Sequence, residues 1–446
     1  MSPDVARATR RSQCLRPCRR RFIAVEAVMH RLNCWSRLAT PLSALLLAVA
    51  IAAALTTAAA GQAGGVTVYE GARLIIGTAA APIEGATFVV SNGRFTQVGR
   101  ADQIQAPAGA TRVSLAGKTV MPAIVDTHTH LSSVRETLVG QLRGKASFGV
   151  GAVMSLGQDT GDVPFQVRGE IIPGAAQFRS AGRGITAPEP GRSDVPYWIT
   201  SEAEARKAVQ ELGARKVDFV KIWVDDRDGK YTKLSPALYG AVIDEAHKQG
   251  LRVTAHLFTL EDAKGLLRAG VDAFAHGVRD RDIDDEFLAM MKQRPNVVLV
   301  PNLPDRGVKT DLSWLKATLQ SAELQKLEAG NTDRPEAQTQ FGIQARNLAK
   351  MSAAGVRIAV GSDGNTPWAP HAEMADMVAA GMTPMQVLVA ATRNGAEFLR
   401  MTDAGTIAAG KSADFIVLDA NPLDDITNTR RIASVYLRGV VVDRTK

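Results

Sequence analysis

Short apolar runs alternate with amphipathic segments through the middle of the chain. The runs are four to six residues long and end in polar residues, which is typical of strands buried in a parallel sheet. Between them apolar positions recur at helical spacing, and the segment 235–249 opens with Ser235-Pro236 and stops at Gly250. The strand candidates are residues 123–127, 152–156, 177–180, 219–224, 252–256, 273–276, 297–301 and 357–361.

Eight strand candidates that alternate with helical segments predict an α/β fold. Because eight parallel strands close a barrel, we expect a (β/α)8 TIM barrel, with functional residues just after the carboxyl ends of the strands. The segment 303–354 is charged and helical in pattern, and we expect it above or beside the last two strands.

The two ends of the chain share a different pattern. Residues 66–120 form short strand-like runs separated by turn signals, and Asn92-Gly93 favours a tight hairpin because both residues tolerate positive φ. The segments 413–419 and 433–443 have the same character. We therefore predict a small β-sandwich domain built from both chain ends. The predicted domains are a leader at 1–63, sandwich parts at 64–120 and 403–446, and the barrel at 121–402.

The composition is that of a globular protein. The chain has 446 residues, of which 46% are hydrophobic and 22% charged, which excludes a fibrous or disordered chain. The formal net charge is +8, but residues 1–60 hold nine Arg against one Asp and one Glu, and the remainder holds 44 basic and 43 acidic residues. The positive charge therefore belongs to the leader, and we expect no nucleic-acid partner.

The leader is predicted to be a secretory signal. An apolar core at 42–55 follows Arg31 and Arg37 and precedes three small residues at 58–60. Met29 would give this signal a conventional length. We expect a periplasmic or secreted protein without stable membrane contact after signal removal. An uncleaved anchor is the alternative, which an alanine-rich core shorter than a usual spanning helix disfavours.

Metal ligands in the mature chain would be histidines and carboxylates, because all three cysteines precede the apolar core. Four histidines lie at the ends of predicted strands: His128, His130, His256 and His276. His128 and His130 are two residues apart, so in a strand they point the same way and can bind one ion. Each histidine alone could be a packed core or loop residue, but four at strand ends predict a metal site.

Lys221 lies within an apolar strand candidate, where an unpaired ammonium would suffer desolvation or a depressed pKa. A neutral buried amine can react with carbon dioxide to give an anionic carbamate, which can bridge two cations. The alternative is a lysine in a salt bridge with Asp218, Asp225 or Asp226.

Asp363 ends the eighth strand candidate, immediately before Gly364. An aspartate before a glycine is often a turn residue. In a metal barrel a carboxylate at this place can instead bind an ion and move a proton to and from a nucleophilic water.

The order of these residues resembles the amidohydrolase superfamily, in its binuclear subtype with a carboxylated lysine. The stretches 381–394 and 405–419 resemble that family's return from barrel to sandwich, and the resemblance covers nearly everything from residue 66 to residue 446. It is strongest to the imidazolonepropionase-like branch that includes Xaa-Pro and Xaa-Arg dipeptidases. Lys221 argues against the single-metal members, and the segment 225–231 departs from the Gly-rich loop of the dipeptidases.

The resemblance implies an enzyme with two divalent ions, for which zinc is expected. The histidine pair on the first barrel strand and Asp363 would hold the more buried ion, His256 and His276 the more exposed one, and carboxylated Lys221 would bridge them. A hydroxide shared by both ions would attack a polarised carbonyl. Asp363 would take the proton and give it to the departing amine.

Candidate substrate-binding residues follow four of the strands: Tyr231, Arg279, Asn302 and His371. Arg279 could hold a carboxylate as a bidentate fork, and Tyr231 or His371 could act in catalysis by binding the carbonyl or adduct oxygen. For each residue the alternative is a solvated loop position.

The function predicted from these features is hydrolysis of a small-molecule amide: an N-acyl amino acid, a dipeptide or an aryl amide. An esterase, lactonase or phosphotriesterase is the alternative, because the same ligand set can act on those centres. A non-catalytic binding protein is a third hypothesis, which the intact set of six ligand positions disfavours. Homo-oligomer formation is compatible with the sequence.

Overall fold

The computed structural model describes residues 65–316 and 318–444. The predicted leader lies outside the described residues. The strands are β1 (Thr67–Leu74), β2 (Ile83–Ser91), β3 (Arg94–Arg100), β4 (Thr111–Ser114), β5 (Thr119–Pro122), β6 (Ile124–Thr129), β7 (Val150–Ser155), β8 (Gln177–Ser180), β9 (Ile185–Thr186), β10 (Tyr197–Trp198), β11 (Val220–Trp223), β12 (Val253–His256), β13 (Ala273–Ala275), β14 (Val298–Val300), β15 (Arg357–Ile358), β16 (Phe415–Leu418), β17 (Ile432–Leu437) and β18 (Val440–Val441).

The helices follow the strands of the middle region. They are α1 (Arg135–Ser147), α2 (Val163–Arg168), α3 (Glu202–Ala214), α4 (Pro236–Lys248), α5 (Leu260–Ala269), α6 (Asp285–Gln293), α7 (Ser321–Gly330), α8 (Pro335–Ala353), α9 (Ala369–Ala379), α10 (Pro384–Val389) and α11 (Gly395–Phe398). A π-helical turn, Ala390–Asn394, joins α10 to α11, and short 3₁₀ turns lie at Ala101–Gln103, Ser313–Leu315 and Ile426–Arg430.

All eight predicted barrel strands are present, as β6, β7, β8 and β11 to β15, and neighbours among them pair in parallel. Together with the two-residue strands β9 and β10, these eight strands form two arcs, β6-β7-β8 and β10-β9-β11-β12-β13-β14-β15. Backbone hydrogen bonds cross both gaps between the arcs, including those from Asp218 N to Ser180 O and from Thr127 N to Val360 O, each at 2.9 Å. The middle of the chain has a TIM-barrel-like α/β fold.

Local signals explain where the helices begin and end. Ser235 caps α4 by accepting a hydrogen bond from Leu238 N, and Gly250, just beyond its end, has φ 69°. The strands that these helices cover are buried along their whole length in β6, β7 and β11 to β14. The amphipathic pattern therefore predicted both the helices and the strands they cover.

Strands from both ends of the chain share one sheet, in the order β18-β17-β16-β5-β1-β2-β3, with β4 beside β1. The predicted hairpin forms between β2 and β3, with φ 51° at Asn92 and 72° at Gly93. Aromatic rings from both ends stack in its core: Tyr69, Phe88, Phe95, Phe415 and Tyr436. Strand β5 belongs to this sheet as far as Pro122, slightly past the predicted boundary.

The segment 303–354 is helical, as predicted, in α7 and α8. Asn347 on α8 fixes the loop after β13, because its side-chain oxygen accepts from Ile283 N at 2.8 Å and its nitrogen donates to the carbonyl oxygens of Val278 and Arg281, each at 2.9 Å. Helix α8 is thereby tied to the carboxyl end of the sixth barrel strand. None of the helices in the described part of the chain is long and apolar enough to cross a bilayer.

Candidate active site

Residues after the carboxyl ends of the barrel strands line a cavity of about 510 Å³. It is lined by His128, His130, Gln158, Arg192, Trp223, Arg227, His256, Phe258, His276, Arg279, Asn302, Leu303, Pro304, Gln344, Ser362, Asp363 and Glu373. The predicted histidines and Asp363 therefore come together, with Trp223 and Phe258 as an apolar part of the wall.

Asp363 is the centre of the histidine cluster. Its Oδ1 lies 3.2 Å from His128 Nε2 and 3.0 Å from His130 Nε2, and its Oδ2 lies 3.5 Å from His276 Nε2. One ligand atom from each of His128, His276 and Asp363 lies within 4.8 Å of the others, close enough for one cation to reach all three.

Two histidines of this cluster, His128 and His276, are held in their neutral form. Burial lowers the pKa of His128 well below its usual value, and the Lys221 ammonium adds to this. Burial likewise lowers the pKa of His276 to about 4. A neutral imidazole keeps a lone pair for a metal ion, so these groups are in the form that binds metal.

His256 stands beside the cluster, with its ring centroid 4.6 Å from that of His276. Its Nε2 donates to Asp225 Oδ2 at 2.9 Å, which leaves Nδ1 as the nitrogen with a lone pair. Arg227 holds Asp225 in turn through a hydrogen bond to the same carboxylate oxygen, and reaches Glu189 at 3.0 Å. A buried chain of charges thus fixes the orientation of His256.

Lys221 lies beneath the cavity and is fully buried, with Nζ 3.4 Å from His128 Nε2. Burial lowers its pKa to about 7, although Asp363 opposes this shift. The salt bridge considered as an alternative is absent among the described residues, because Asp218 pairs with Arg168 and Asp225 with Arg227. A substantial neutral fraction of the amine is therefore present near pH 7.

The backbone at three site residues is unusual. His276, Asn302 and Asp363 have φ of 91°, 42° and 48°, in the left-handed region that non-glycine residues rarely adopt. Such conformations persist where the surrounding structure imposes them, and they cluster at functional sites.

For Asp363, burial alone would raise the carboxyl pKa, but His128 and the other histidines outweigh it and hold the pKa far below its ordinary value.

A buried ion pair positions the loop that carries Asp363. Lys145 donates to Asp126 Oδ2 at 2.7 Å and to Ser362 Oγ at 2.9 Å, and both charged side chains are fully buried. Ser362 N also donates to Asp126 Oδ1 at 2.9 Å. The first and eighth strands are thus joined just below the histidine cluster.

Asn302 contacts a histidine of the cluster. His128 Nδ1 donates to Asn302 Oδ1 at 2.7 Å, which selects the tautomer whose Nε2 faces Asp363. The amide nitrogen of Asn302 is buried and has no hydrogen-bond partner among the described residues. The residue predicted to bind substrate therefore orients His128 and keeps one donor available at the cavity.

Arg279 lies where the sequence places it, on the cavity wall. Its guanidinium covers the ring of Phe258, and it forms no ion pair with any described residue. A cation without a carboxylate partner at a cavity wall is suited to an anionic group of a ligand.

The structure does not bring Tyr231 and His371 to the cavity. The Tyr231 hydroxyl donates to Pro190 O at 3.1 Å on the exposed surface. His371 is fully buried, with Nε2 2.8 Å from Phe148 O and Nδ1 3.0 Å from Thr429 Oγ1. Both ring nitrogens thus have structural partners, which corrects the catalytic and substrate-binding roles predicted for these two residues.

Several cavity residues escaped the sequence analysis. Arg192 and Arg227 lie in loops and Gln344 lies in α8, away from any strand end. Glu373 in α9 accepts from Leu303 N, and burial followed by neighbouring Asp376 raises its pKa well above the ordinary value. No pattern at strand ends marks these positions, because they come from other parts of the fold.

The donor set fits divalent cations. Neutral imidazole nitrogens and a carboxylate are the ligands that zinc and related ions prefer. The group formed by His128, His276 and Asp363 meets the distance requirement without rearrangement. His130 Nε2 and Lys221 Nζ lie within 3.4 Å of members of this group.

Comparison with known proteins agrees with this chemistry. A sequence profile of the amidohydrolase family matches residues 119–442. A protein of Mycobacterium tuberculosis without an assigned function is 29% identical over 305 residues, which are 64% of this chain and 75% of that one. Imidazolonepropionase of Deinococcus radiodurans is 26% identical over 390 residues, covering 80% of this chain and 92% of the relative.

Among solved structures, a candidate prolidase from Bifidobacterium longum superposes with a TM-score of 0.71 and 28% identity. The match covers 86% of this chain and 96% of that one. These relatives support the predicted imidazolonepropionase-like branch.

Proposed function

Because the chain belongs to the amidohydrolase family, whose members here include hydrolases of carbon–nitrogen bonds, we propose that it is a binuclear enzyme that hydrolyses amides bearing a carboxylate. The family and the similar proteins support metal-dependent amide hydrolysis. The proposal adds the second ion, the bridging lysine and the substrate. The single observation that carries it is the convergence of four strand-end histidines and Asp363 on one cavity, with the buried Lys221 3.4 Å from His128.

The residues divide into two ligand groups. His128, His130 and Asp363 would hold one ion, since both histidine Nε2 atoms lie within 3.2 Å of Asp363 Oδ1. His256 and His276 would hold the second ion, and Lys221 as a carbamate would bridge the pair. Lys221 supports this role because it is buried, lies 3.4 Å from His128 and has no carboxylate partner among the described residues. Zinc is the ion proposed.

Bound divalent ions supply the chemistry at this site by lowering the pKa of a water molecule and polarising the substrate carbonyl. The residues of the chain handle the protons. Asp363 is an anion at neutral pH, so it can accept the proton that the attacking water loses. It then gives this proton to the leaving nitrogen, which departs as an amine.

The cavity supports a substrate with a carboxylate. Arg279 supplies a cation without a carboxylate partner among the described residues, whereas Arg192 and Arg227 on the same wall are paired with Glu189 and Asp225. N-acyl amino acids and dipeptides present a carboxylate one carbon away from the nitrogen of the scissile bond. We therefore propose these over neutral aryl amides.

The remaining expectations stand as proposals. The two hydrogen bonds across the gaps between strand arcs support a closed barrel, and the mixed sheet shared by the chain ends supports a small sandwich. The leader pattern supports export to the periplasm or beyond.

Metal analysis and a substrate panel test the proposal together. We expect about two divalent ions per chain. We also expect hydrolysis of N-acyl amino acids or dipeptides well above that of matched lactones, esters and phosphotriesters. One ion per chain with an unmodified lysine would refute the binuclear site. Preference for the lactones or phosphotriesters would replace the amide assignment.

Asp363→Asn separates metal binding from proton transfer. The amide oxygen of asparagine can still bind an ion, but it cannot accept the proton. We expect part of the metal to remain while kcat falls by about 10²- to 10⁴-fold. Unchanged kcat with full metal content would overturn the role of Asp363.

A further inference from the structure

Gln344 contributes an unsatisfied acceptor to the cavity. The residue is 4% exposed, and its side-chain oxygen is buried without a hydrogen-bond partner among the described residues. A buried carbonyl oxygen without a donor lowers the stability of the fold by roughly 1–3 kcal/mol. Such oxygens in folded proteins therefore generally bind a water molecule or a ligand. Gln344 lines the same cavity as the histidine cluster.

The position of this oxygen relates it to the reacting centre. It lies 3.5 Å from the point at which a Cβ of Gly277 would stand. Gly277 directly follows His276, whose Nε2 is 3.5 Å from Asp363. The acceptor therefore faces the same cavity as the histidine cluster, next to the segment that carries His276.

Gln344 and Arg279 are held in a fixed relation to each other. Asn347, one helical turn beyond Gln344 on α8, accepts from Ile283 N and donates to Val278 O and Arg281 O. These contacts bracket Arg279 in the loop after β13. The cavity thus presents one unpaired acceptor and one cation on a shared, rigid support.

We propose that Gln344 accepts a hydrogen bond from the N–H of the scissile amide while Arg279 holds the carboxylate of the same substrate. This inference rests on the proposed function. It names the substrate class more narrowly as N-acyl amino acids whose scissile nitrogen carries a hydrogen. Xaa-Pro dipeptides and N-methyl amino acids lack that hydrogen and would leave the Gln344 oxygen buried and unpaired.

Matched substrate pairs test the proposal. Metal-loaded enzyme is assayed with N-acyl-alanines and their N-methyl counterparts, and with Xaa-Ala and Xaa-Pro dipeptides that share Xaa. Each assay is repeated with Gln344→Leu, which removes the acceptor at similar volume. Gln340→Leu, at an exposed position of the same helix, is the control.

For each pair we take the ratio of kcat/KM for the substrate with an N–H to kcat/KM for its counterpart without one. In the wild type and the control this ratio should be about 10- to 100-fold higher than in Gln344→Leu. Comparing the ratios removes the intrinsic difference in reactivity between secondary and tertiary amides. Circular dichroism and metal content should be the same in all three proteins.

The outcomes distinguish an error in the role of Gln344 from an error in the proposed function. Turnover of both members of each pair with the same ratio in wild type and Gln344→Leu would overturn the role of Gln344 and leave the proposed function intact. A change confined to dipeptides with a free amino group would also overturn it, since the acceptor would then bind an ammonium. Absence of hydrolysis across the whole panel would overturn the proposed function and this inference together.

Discussion

We propose that one buried residue, Lys221, decides the number of metal ions at the site. Its side chain is fully buried and its nearest polar neighbour at the site is a histidine, so its charge has no anionic partner among the described residues. Carboxylation would convert this cation into the anion that two adjacent cations require. The desolvation that disfavours the ammonium thus favours the amine that reacts with carbon dioxide.

Lys221→Ala should lose most of the metal and nearly all activity. Short carboxylates such as acetate or propionate should restore part of the metal content and part of the activity, because they can occupy the space of the proposed carbamate. Metal analysis and initial rates measured with and without the acid check this. Lys326→Ala, at an exposed position of α7, is the control and should behave as the wild type. Full activity of Lys221→Ala without added acid would rule out a bridging lysine.

Asp225 has a comparable influence through His256. Because Asp225 accepts from His256 Nε2, it leaves Nδ1 as the nitrogen that can bind the proposed second ion. Asp225→Asn should weaken metal binding by about 10- to 100-fold, a cost typical of groups that orient a metal-bound histidine. Competition with a chelator measures this directly. Asp228→Asn, in the exposed part of the same loop, should leave the affinity unchanged, and equal affinities in all three proteins would contradict the role of Asp225.

At the scale of elements, strand ends were the predictable part of the site. Each of the four strand-end histidines follows an apolar run that could be recognised from its pattern, and all four line the cavity. Tyr231 and His371 also follow barrel strands, the fourth and the eighth, but the intervening loops place their side chains away from the cavity. The pattern of a strand therefore predicts the position of a side chain directly at its end, but not that of a side chain several residues farther along the loop.

Gln344 could not be predicted, because it does not follow a strand at all. It lies in the middle of α8, and tertiary contacts such as those of Asn347 and Arg346 hold that helix beside the loop after β13. Nothing in the local pattern distinguishes one buried glutamine on an amphipathic helix from another. The same applies to the buried ion pair of Asp126 and Lys145, whose partners are 19 residues apart in sequence.

Asn347→Ala tests the link between α8 and the sixth strand. It removes three hydrogen bonds and leaves Ile283 N and two carbonyl oxygens without their partner. The free energy of unfolding should fall by about 1–3 kcal/mol, and KM for carboxylate substrates should rise because Arg279 and Gln344 lose their support. Chemical denaturation and steady-state kinetics provide the readouts. A loss of stability with unchanged KM would show that α8 does not position the substrate wall.

For the whole molecule, the sheet shared by both chain ends provides the connection between distant parts of the sequence. Phe415 on β16 is fully buried and packs against Tyr69 and Phe88 near the start of the described chain. The pattern of each end predicted these strands, and their common domain could be inferred because two ends rich in strand-like runs flank a middle of different character.

Phe415→Ala should lower the free energy of unfolding by about 3–5 kcal/mol through the lost burial and the cavity it leaves. Thermal or denaturant unfolding measures the change. Val440→Ala, at a 66% exposed position on β18 of the same sheet, is the control and should change stability by no more than about 0.5 kcal/mol. Similar stabilities of the two variants would show that the aromatic cluster does not stabilise the shared sheet.

The shared sheet also sets the order in which the protein can be completed during synthesis. β5 pairs with β1 on one side and with β16 on the other. A nascent chain that has not yet released β16 to β18 from the ribosome therefore exposes one edge of β5 and the apolar rings that await Phe415. Such a chain is open to chaperones and proteases until β16 has emerged, so the aromatic core of the shared sheet can close only after the whole barrel segment has been synthesised.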